Sequence, residues 1–287
     1  RATDVAIIPG GHNAMTWMVN IPDVAKSIHS VPVPAQEQLK KIFNDASIPA
    51  LSVCWRQDNA TRILAGGVTD TSDPRAVDST TLFQAASVGK PVSAAIVLDL
   101  VEKNHWDLDI SLSTIADYGP PEIRADKHYN TLTIRMIIGQ CSGLPNWFNE
   151  DGPNQFLIAP GERFIYSGVA LEFLKEVIEE HLGKPWEAIA QDFFAKVGMI
   201  NSTYQQSVAS NLYGANVARE HQGDLSPIDN RTPSDSEKTF VAGSLLTTAT
   251  DYIVFLQYCL NNPFLKSTLL TGSTPLGDFP KTPGIES

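Results

Sequence analysis

The sequence predicts an α/β fold into which an all-helical part is inserted. Two β-like runs, residues 50–56 and 62–69, flank the polar turn at 57–61 and predict a β-hairpin. Residues 87–103 are apolar on nearly all faces and predict a buried central helix. Most of the chain from there to about residue 260 shows helical periodicity. These observations together favour a mixed architecture over an all-α or all-β one.

The remaining predicted helices share apolar residues at intervals of three and four. They cover residues 35–46, 131–138, 170–182, 186–197 and 248–260. The first thirty or so residues show no clear periodicity, and the end of the chain is rich in Pro, Gly, Ser and Thr. We therefore expect an N-terminal extension at 1–33, a folded domain at 34–262 with a helical subdomain at about 105–240, and an irregular tail at 263–287.

Composition excludes several classes of protein. Of 287 residues, 43% are hydrophobic and 18% charged, as in ordinary folded proteins. The net charge of −11 argues against a nucleic-acid partner, and no apolar run approaches the ~20 residues that span a bilayer. Cys54, Cys141 and Cys259 lie among apolar neighbours without metal-ligand spacing, so we expect buried structural thiols. We predict no metal and no cofactor.

The residues most informative about chemistry stand at the start of the central helix. Ser87 and Lys90 form an S-x-x-K pattern, and residues three apart share one helix face. A serine hydroxyl is a weak nucleophile that needs an adjacent base, and Lys90 can be that base in its neutral form, which burial favours. Pro91 in the first helical turn predicts a helix start at or just before Ser87. The pattern alone also occurs by chance, so it needs support elsewhere.

That support lies downstream, in the segment PGERFIYSG at 160–168. A Pro-Gly turn and a short extended piece place Tyr166 just before a predicted helix. A phenol held there could share a proton relay with Lys90, although a tyrosine in this position can equally be a packing residue. Ser87, Lys90 and Tyr166 are therefore the candidate catalytic residues.

Other catalytic patterns are weaker or missing. Gly89-Lys90 is followed by Pro91, which excludes a phosphate-binding loop, and no G-x-S-x-G nucleophile elbow occurs. A Ser-His-Asp triad stays open, because its members need not be close in sequence. No H-E-x-x-H or paired-Cys pattern supports metal catalysis.

Five segments, taken in order, resemble motifs of the class C β-lactamase-like serine hydrolases. This penicillin-binding-protein-like family also includes D-alanyl-D-alanine peptidases and family VIII carboxylesterases. The segments are TTLFQAASVGKP at 80–91, LTIRMIIGQCSGL at 132–144, PGERFIYSG at 160–168, GMINST at 198–203 and AGSLLTTATDY at 242–252.

The resemblance implies a β-lactamase/transpeptidase-like fold, with an antiparallel sheet flanked by helices and a helical subdomain. It implies Ser87 as the nucleophile, Lys90 as the base and Tyr166 as the tyrosine of the second motif. It also implies that Ser167 and Gly168 bind substrate, although Gly168 stands where an Asn is common, and Gly89 where Ser or Thr is usual.

The third motif of the family has no clear counterpart. Lys281-Thr282-Pro283-Gly284 follows the last matching segment too closely, and its Pro weakens a strand. Gly10-Gly11-His12 has the wrong order and lies at the wrong end of the chain. We therefore expect this chain to lack the family's C-terminal strands.

Two functions remain open. The first is a serine hydrolase that forms an acyl-enzyme on Ser87 and hydrolyses or transfers a small-molecule ester, amide or lactam acyl group. The alternative is a non-catalytic binding or assembly module that keeps the pocket. The chain begins at Arg1 without a methionine, which leaves room for a removed targeting segment, and we favour a periplasmic or secreted location over a cytoplasmic one. Oligomeric state is not predicted.

Overall fold

A computed structural model describes residues 2–9, 41, 43, 45, 48–57, 60–117, 119–148, 154–207, 209, 216–228 and 238–270. The chain divides into two compact units. The first contains Arg1–Gly89 and Glu187–Asn262, and the second contains Lys90–Trp186 and Pro263–Ser287. Within the described residues, no helix is both long enough and apolar enough to cross a membrane.

The first unit is built on a three-stranded antiparallel sheet in the order β1-β2-β3. Strand β1 is Ala2–Pro9, β2 is Ala50–Gln57 and β3 is Ala60–Gly67. Strands β2 and β3 form the predicted hairpin, which is confirmed. Their pairing continues to Gln57 and Ala60, so the turn is shorter than the predicted 57–61. Ladder hydrogen bonds come from the backbone, which allows polar residues to extend a strand beyond its apolar part.

Strand β1 was not expected, because residues 1–33 were predicted to be an extension. Its backbone pairs with β2 from Ala2 to Pro9, with one irregularity between Ala2 and Val5. The segment Val5-Ala6-Ile7-Ile8 is a continuous apolar run without alternation. Such a short run does not distinguish a strand from other apolar segments, which explains why strand β1 was not predicted.

Strand β2 is covered on both faces. Val53 and Trp55 pack with Leu64 of β3 in one cluster. Cys54, which points to the opposite face, packs with Ala249 and Ile253. These two residues belong to helix α6 (Ala249–Asn261), so this helix covers the second face of the sheet.

Two helices and a short second sheet complete the first unit. Helix α5 is Trp186–Val197 and α6 is Ala249–Asn261, which confirms both predictions. The Thr248 side chain caps α6 by accepting a hydrogen bond from the Asp251 backbone. Strand β4 (Phe83–Gln84) pairs antiparallel with β5 (Leu246–Thr247), so the residues before Ser87 are fixed against the residues before α6.

The second unit is helical. It contains α1 (Gly89–Asn104, from Lys90 onward), α2 (Pro121–Arg124), α3 (Ile134–Ile138), α4 (Gly168–Leu182) and α7 (Pro263–Leu270). Helix α1 is buried along most of its length, as predicted. The Ser167 side chain caps α4, and Gly183 ends it in the left-handed conformation at φ 59°.

Helix α7 corrects the prediction of an irregular tail from residue 263. The segment PFLKSTLL places Pro263 at the helix start, where its missing N–H costs little, and buries Leu265. A segment of only eight residues gave too weak a helical period in the sequence. Most of the helix predicted at 35–46 lies outside the described residues, as do Gly10-Gly11-His12 and Lys281-Thr282-Pro283-Gly284.

The three cysteines are free and buried, which confirms that they are structural thiols. Burial raises the pKa of Cys54 and Cys141, and it raises the pKa of Cys259 to about 12. All three therefore stay protonated and unreactive at neutral pH.

Candidate active site

Ser87 lies in a 3-10 turn, Ala86–Val88, that leads directly into helix α1 at Gly89. Its side chain is exposed, whereas Gly89 and Lys90 are buried. The helix was predicted to begin at Ser87, and it begins two residues later. Because the turn and the helix are continuous, Ser87 still stands one turn before Lys90 at the N-terminal end of a 16-residue helix.

The turn is held from both sides by residues of the first unit. The Ala85 N–H donates to the carbonyl of Leu245 at 2.8 Å, next to the β4–β5 pair. The Tyr252 hydroxyl donates to the Val88 carbonyl at 2.9 Å. Burial raises the pKa of Tyr252 well above its usual range, so the phenol stays protonated and remains a donor. These bonds fix the backbone on either side of Ser87.

Gly89 is explained by the same neighbours. A Cβ at this position would lie 3.0 Å from the Cβ of Leu245, tighter than an ordinary van der Waals contact. Ser or Thr is usual at this position in the family that the chain resembles. The close approach of Leu245 accounts for the glycine.

Ala86, immediately before Ser87, has φ 47°. This left-handed conformation costs a non-glycine residue about 1–2 kcal/mol. Strain of this kind persists only where the surrounding structure imposes it, and it collects at functional sites. It marks the Ser87 turn as a constrained segment.

Lys90 and Tyr166 contact each other within the second unit. The Nζ atom of Lys90 lies 4.8 Å from the centroid of the Tyr166 ring, a distance typical of a cation–π contact. Lys90 is 9% exposed and Tyr166 is 41% exposed. The ring therefore covers the Nζ atom on one side while part of the tyrosine's own surface is exposed.

Gln140 holds the residues on both sides of Tyr166. Its backbone carbonyl accepts from the Ile165 N–H at 2.8 Å, and its side-chain Oε1 accepts from the Ser167 N–H at 2.7 Å. Its Nε2 donates to the Ser167 carbonyl at 3.4 Å. Gln140 itself has φ 55°. The tyrosine is thus presented by a clamped backbone, as the predicted loop position requires.

Ser167 is fully buried, and its hydroxyl is engaged within the protein. It donates to the Pro145 carbonyl at 2.7 Å and accepts from the Ala170 N–H at 3.0 Å. Its backbone N–H and carbonyl are paired with Gln140. This geometry favours a positioning role for Ser167 over the predicted substrate-binding role.

Gly168, the other predicted substrate-binding residue, begins helix α4 beneath an indole ring. Its N–H donates to Asn146 Oδ1 at 3.0 Å. A Cβ at this position would lie 2.8 Å from the Cη2 atom of Trp147. The ring therefore occupies the space into which a side chain at residue 168 would project.

Sequence reasoning did not single out Gln140, Asn146, Trp147, Leu245 or Tyr252. Gln140, Asn146 and Trp147 lie in or beside the segment 132–144 whose motif it did recognise, but nothing in the motif shows which side chain reaches the tyrosine loop. Their contacts join residues more than twenty positions apart, so the periodicity of a single segment cannot predict them.

Comparisons with known proteins agree with the motifs. The Beta-lactamase family model matches residues 35–278. The chain is 24% identical over 250 residues to Penicillin-binding protein 4 of Amycolatopsis lactamdurans, a match that covers 79% of this chain and 63% of that relative. The chain thus spans less than two thirds of the length of this curated relative.

Solved structures share the fold. A class C beta-lactamase has a TM-score of 0.65 at 20% identity, covering 88% of this chain and 70% of its own. The D-alanine carboxypeptidase AmpC from Burkholderia cenocepacia has a TM-score of 0.62 at 19% identity, covering 87% and 69%. The predicted β-lactamase/transpeptidase-like fold is therefore confirmed.

Proposed function

Because the chain belongs to the beta-lactamase family, we propose that it is a serine hydrolase in which Ser87 is the nucleophile and Lys90 and Tyr166 move protons. The observation that carries the proposal is the position of Lys90. This buried lysine follows the exposed Ser87 by one helical turn and has Tyr166 against its amine. A base, a nucleophile and a second proton carrier are the groups that acyl transfer requires.

Acylation would begin when the neutral amine of Lys90 accepts the Ser87 proton. The Ser87 Oγ then bonds to the acyl carbon of the substrate, and negative charge develops on the carbonyl oxygen. The N-terminal end of α1 favours that charge. Tyr166 delivers a proton to the leaving oxygen or nitrogen as its bond to the acyl carbon breaks, which leaves an ester on Ser87.

Deacylation would use the same groups in reverse. Water gives up a proton to the Lys90–Tyr166 pair and attacks the ester carbon. The bond to Ser87 Oγ breaks, Oγ regains a proton, and the carboxylic acid leaves. An alcohol or amine that replaces water would give acyl transfer. Esters, amides and lactams all fit this scheme.

The direct test is the intact mass of the protein after incubation with a fluorophosphonate and, separately, with a penicillin. We expect one adduct on the wild type and none on Ser87→Ala. Ser79→Ala is the control, because Ser79 is an exposed serine of the same unit, and it should be labelled like the wild type.

Labelling of Ser87→Ala at the wild-type level would refute the assignment of the nucleophile. Well-folded wild-type protein that forms no adduct with either reagent would instead favour the alternative, a binding or assembly module of the same fold. The reagent whose adduct persists would begin to define the acyl group that the protein accepts. A periplasmic or secreted location remains part of the proposal.

A further inference from the structure

An indole ring lies against Gly168, the position two residues after Tyr166 where the resembled family commonly carries an Asn. Three atoms of the six-membered ring of Trp147 would lie 2.8, 3.0 and 3.1 Å from a Cβ at Gly168. Gly168 is separated from Tyr166 by Ser167 alone. The ring therefore packs on the glycine Cα, and Trp147 is only half-buried, so part of the indole remains accessible.

This arrangement is fixed by the backbone. The Gly168 and Val169 N–H groups donate to the Oδ1 and the carbonyl of Asn146, each at 3.0 Å. Ser167 Oγ donates to the Pro145 carbonyl at 2.7 Å. Trp147 directly follows these two acceptor residues in the chain. Its position is thus set by three hydrogen bonds between residues 145–146 and the N-terminus of α4 with its capping residue Ser167, and does not depend on a bound substrate.

The side-chain amide oxygens nearby already accept hydrogen bonds inside the protein. Asn146 Oδ1 accepts from Gly168, while Gln140 uses both its Oε1 and its Nε2 on Ser167. The half-buried indole is therefore the aromatic surface that the chain offers beside residue 168. A flat apolar group gains by packing there, whereas an amide in the same place gives up hydrogen bonds to water.

We propose that Trp147 is a specificity-determining residue that selects esters carrying a flat, apolar acyl group over esters whose acyl group contains an amide. The proposal rests on the proposed function, because it needs hydrolysis through Ser87. For such an ester the overall reaction consumes one water and yields the apolar carboxylic acid and the alcohol.

The test compares three p-nitrophenyl esters that share a leaving group and differ in the acyl group: acetyl, phenylacetyl and N-acetylglycyl. We expect the wild type to prefer the phenylacetyl ester. Trp147→Ala should lower kcat/KM for this ester by about tenfold, mostly through KM, and should change the acetyl ester by less than about threefold. Trp147→Phe keeps an aromatic face and should retain most of the preference.

Two further variants sharpen the result. Trp106→Ala removes another half-buried tryptophan of the same unit, which packs on His181, and should leave the acyl preference unchanged. Gly168→Asn adds a side chain where the indole lies, so on its own it should impair the protein. Combined with Trp147→Ala it has room, and the double variant should shift preference toward the N-acetylglycyl ester.

The outcomes separate the two proposals. Hydrolysis that survives Ser87→Ala would overturn both. Hydrolysis that requires Ser87 but keeps the same acyl preference in Trp147→Ala and Trp147→Phe would overturn only the role of Trp147. Should Trp147→Ala fail to fold, the ratio of the phenylacetyl to the N-acetylglycyl rate in Trp147→Phe and in Trp147→Leu decides, since only the former keeps a ring.

Discussion

The Nζ atom of Lys90 lies over the ring of Tyr166, 4.8 Å from its centroid, although the two residues are far apart in the sequence. The lysine is buried and the tyrosine is partly exposed. An exposed aromatic ring over a buried amine shields that amine from water on one side. Part of Tyr166 is open to solvent while Lys90 stays buried. This pairing separates the role of the hydroxyl from the role of the ring, and substitutions can test each.

Tyr166→Phe keeps the ring over Lys90 and removes only the hydroxyl. If the phenol carries protons to the leaving group, kcat should fall by about 10²–10³-fold with little change in KM. Tyr258→Phe is the control, because Lys196 lies over the Tyr258 ring at 5.9 Å in a similar pair. Steady-state kinetics on p-nitrophenyl acetate measures both. Equal activity of Tyr166→Phe and the wild type would remove the phenol from the mechanism.

Lys90→Met and Lys90→Arg test the base. Methionine is apolar and of similar length, and arginine keeps the charge but does not give up its proton. Both variants should lower the rate of adduct formation by roughly 10³-fold or more, because neither can accept the Ser87 proton. The midpoint of urea unfolding should move little in Lys90→Met, since burying a charge offsets much of what its contacts contribute. Rapid labelling of either variant would exclude Lys90 as the base.

Spacing within a helix explains why Ser87 and Lys90 could be predicted from the sequence. Their relation is local, and the helix that carries them is apolar enough to recognise. Tyr166 was a candidate from its position before a predicted helix, and the resemblance strengthened that prediction, because a tyrosine before a helix is also an ordinary packing residue. Trp147 and Gln140 escaped prediction because their contacts join two loops, and loops have no period that reports which residues meet.

In the sheet, too, the local pairing was predicted and the long-range pairing was not. The β2–β3 hairpin is a local pair of strands with a polar turn, and it was predicted. Strand β1 pairs with β2 across more than forty residues, and its apolar run does not alternate. A long-range pairing partner for an apolar run cannot be read from one segment alone.

Ala86→Gly tests whether the left-handed residue before Ser87 is under strain. Glycine adopts φ 47° without a Cβ penalty, but it also adds disorder to the unfolded chain, so the net gain should be at most about 1 kcal/mol. Ala85→Gly is the control, because Ala85 has φ −74° and gains nothing from glycine. Ala85→Gly should lower the free energy of unfolding by about 0.5–1 kcal/mol. Urea unfolding gives both values, and equal losses in the two variants would show that Ala86 is unstrained.

Gln140→Ala should release the backbone around Tyr166. Loss of its side-chain hydrogen bonds with Ser167 should cost about 1–2 kcal/mol of stability and lower kcat by about tenfold. If Gln140 acts by positioning Tyr166, its effect on kcat should also depend on the Tyr166 hydroxyl. In a Tyr166→Phe background, Gln140→Ala should cause no further loss of kcat, because the hydroxyl that it positions is gone.

Gln191→Ala controls for stability alone. Gln191 Nε2 donates to Glu187 Oε1 at 2.8 Å and to the Ser202 carbonyl at 2.9 Å. Removing these two bonds should therefore lower the free energy of unfolding about as much as Gln140→Ala does. The Gln191→Ala variant should leave kcat unchanged. Additive effects of Gln140→Ala and Tyr166→Phe on kcat would show that Gln140 acts through fold stability and not through Tyr166.

Asp70 and Arg219 make the first unit sensitive to acid. Burial raises the pKa of Asp70, but hydrogen bonds from Ser72 and from Arg219, at 2.7 Å, outweigh it and hold the pKa well below its usual range. A depressed native pKa means that the unfolded chain binds the proton more tightly. The carboxylate therefore adds stability above the unfolded pKa of about 3.9, and this contribution disappears as the pH falls toward the native value.

Asp70→Asn should consequently lower the free energy of unfolding by about 1–2 kcal/mol at pH 7, discounted because Arg219 is partly exposed. The gap between wild type and variant should narrow as the pH falls below about 4, because the unfolded wild type then takes up a proton that the folded carboxylate, with its depressed pKa, does not yet bind. Asp109→Asn is the control. Its pair with Arg135 is exposed on both sides, so it should cost less than about 1 kcal/mol at pH 7. Urea unfolding between pH 3 and pH 7 measures these differences, and a gap for Asp70→Asn that stays constant over that range would show that the carboxylate charge does not stabilise this unit.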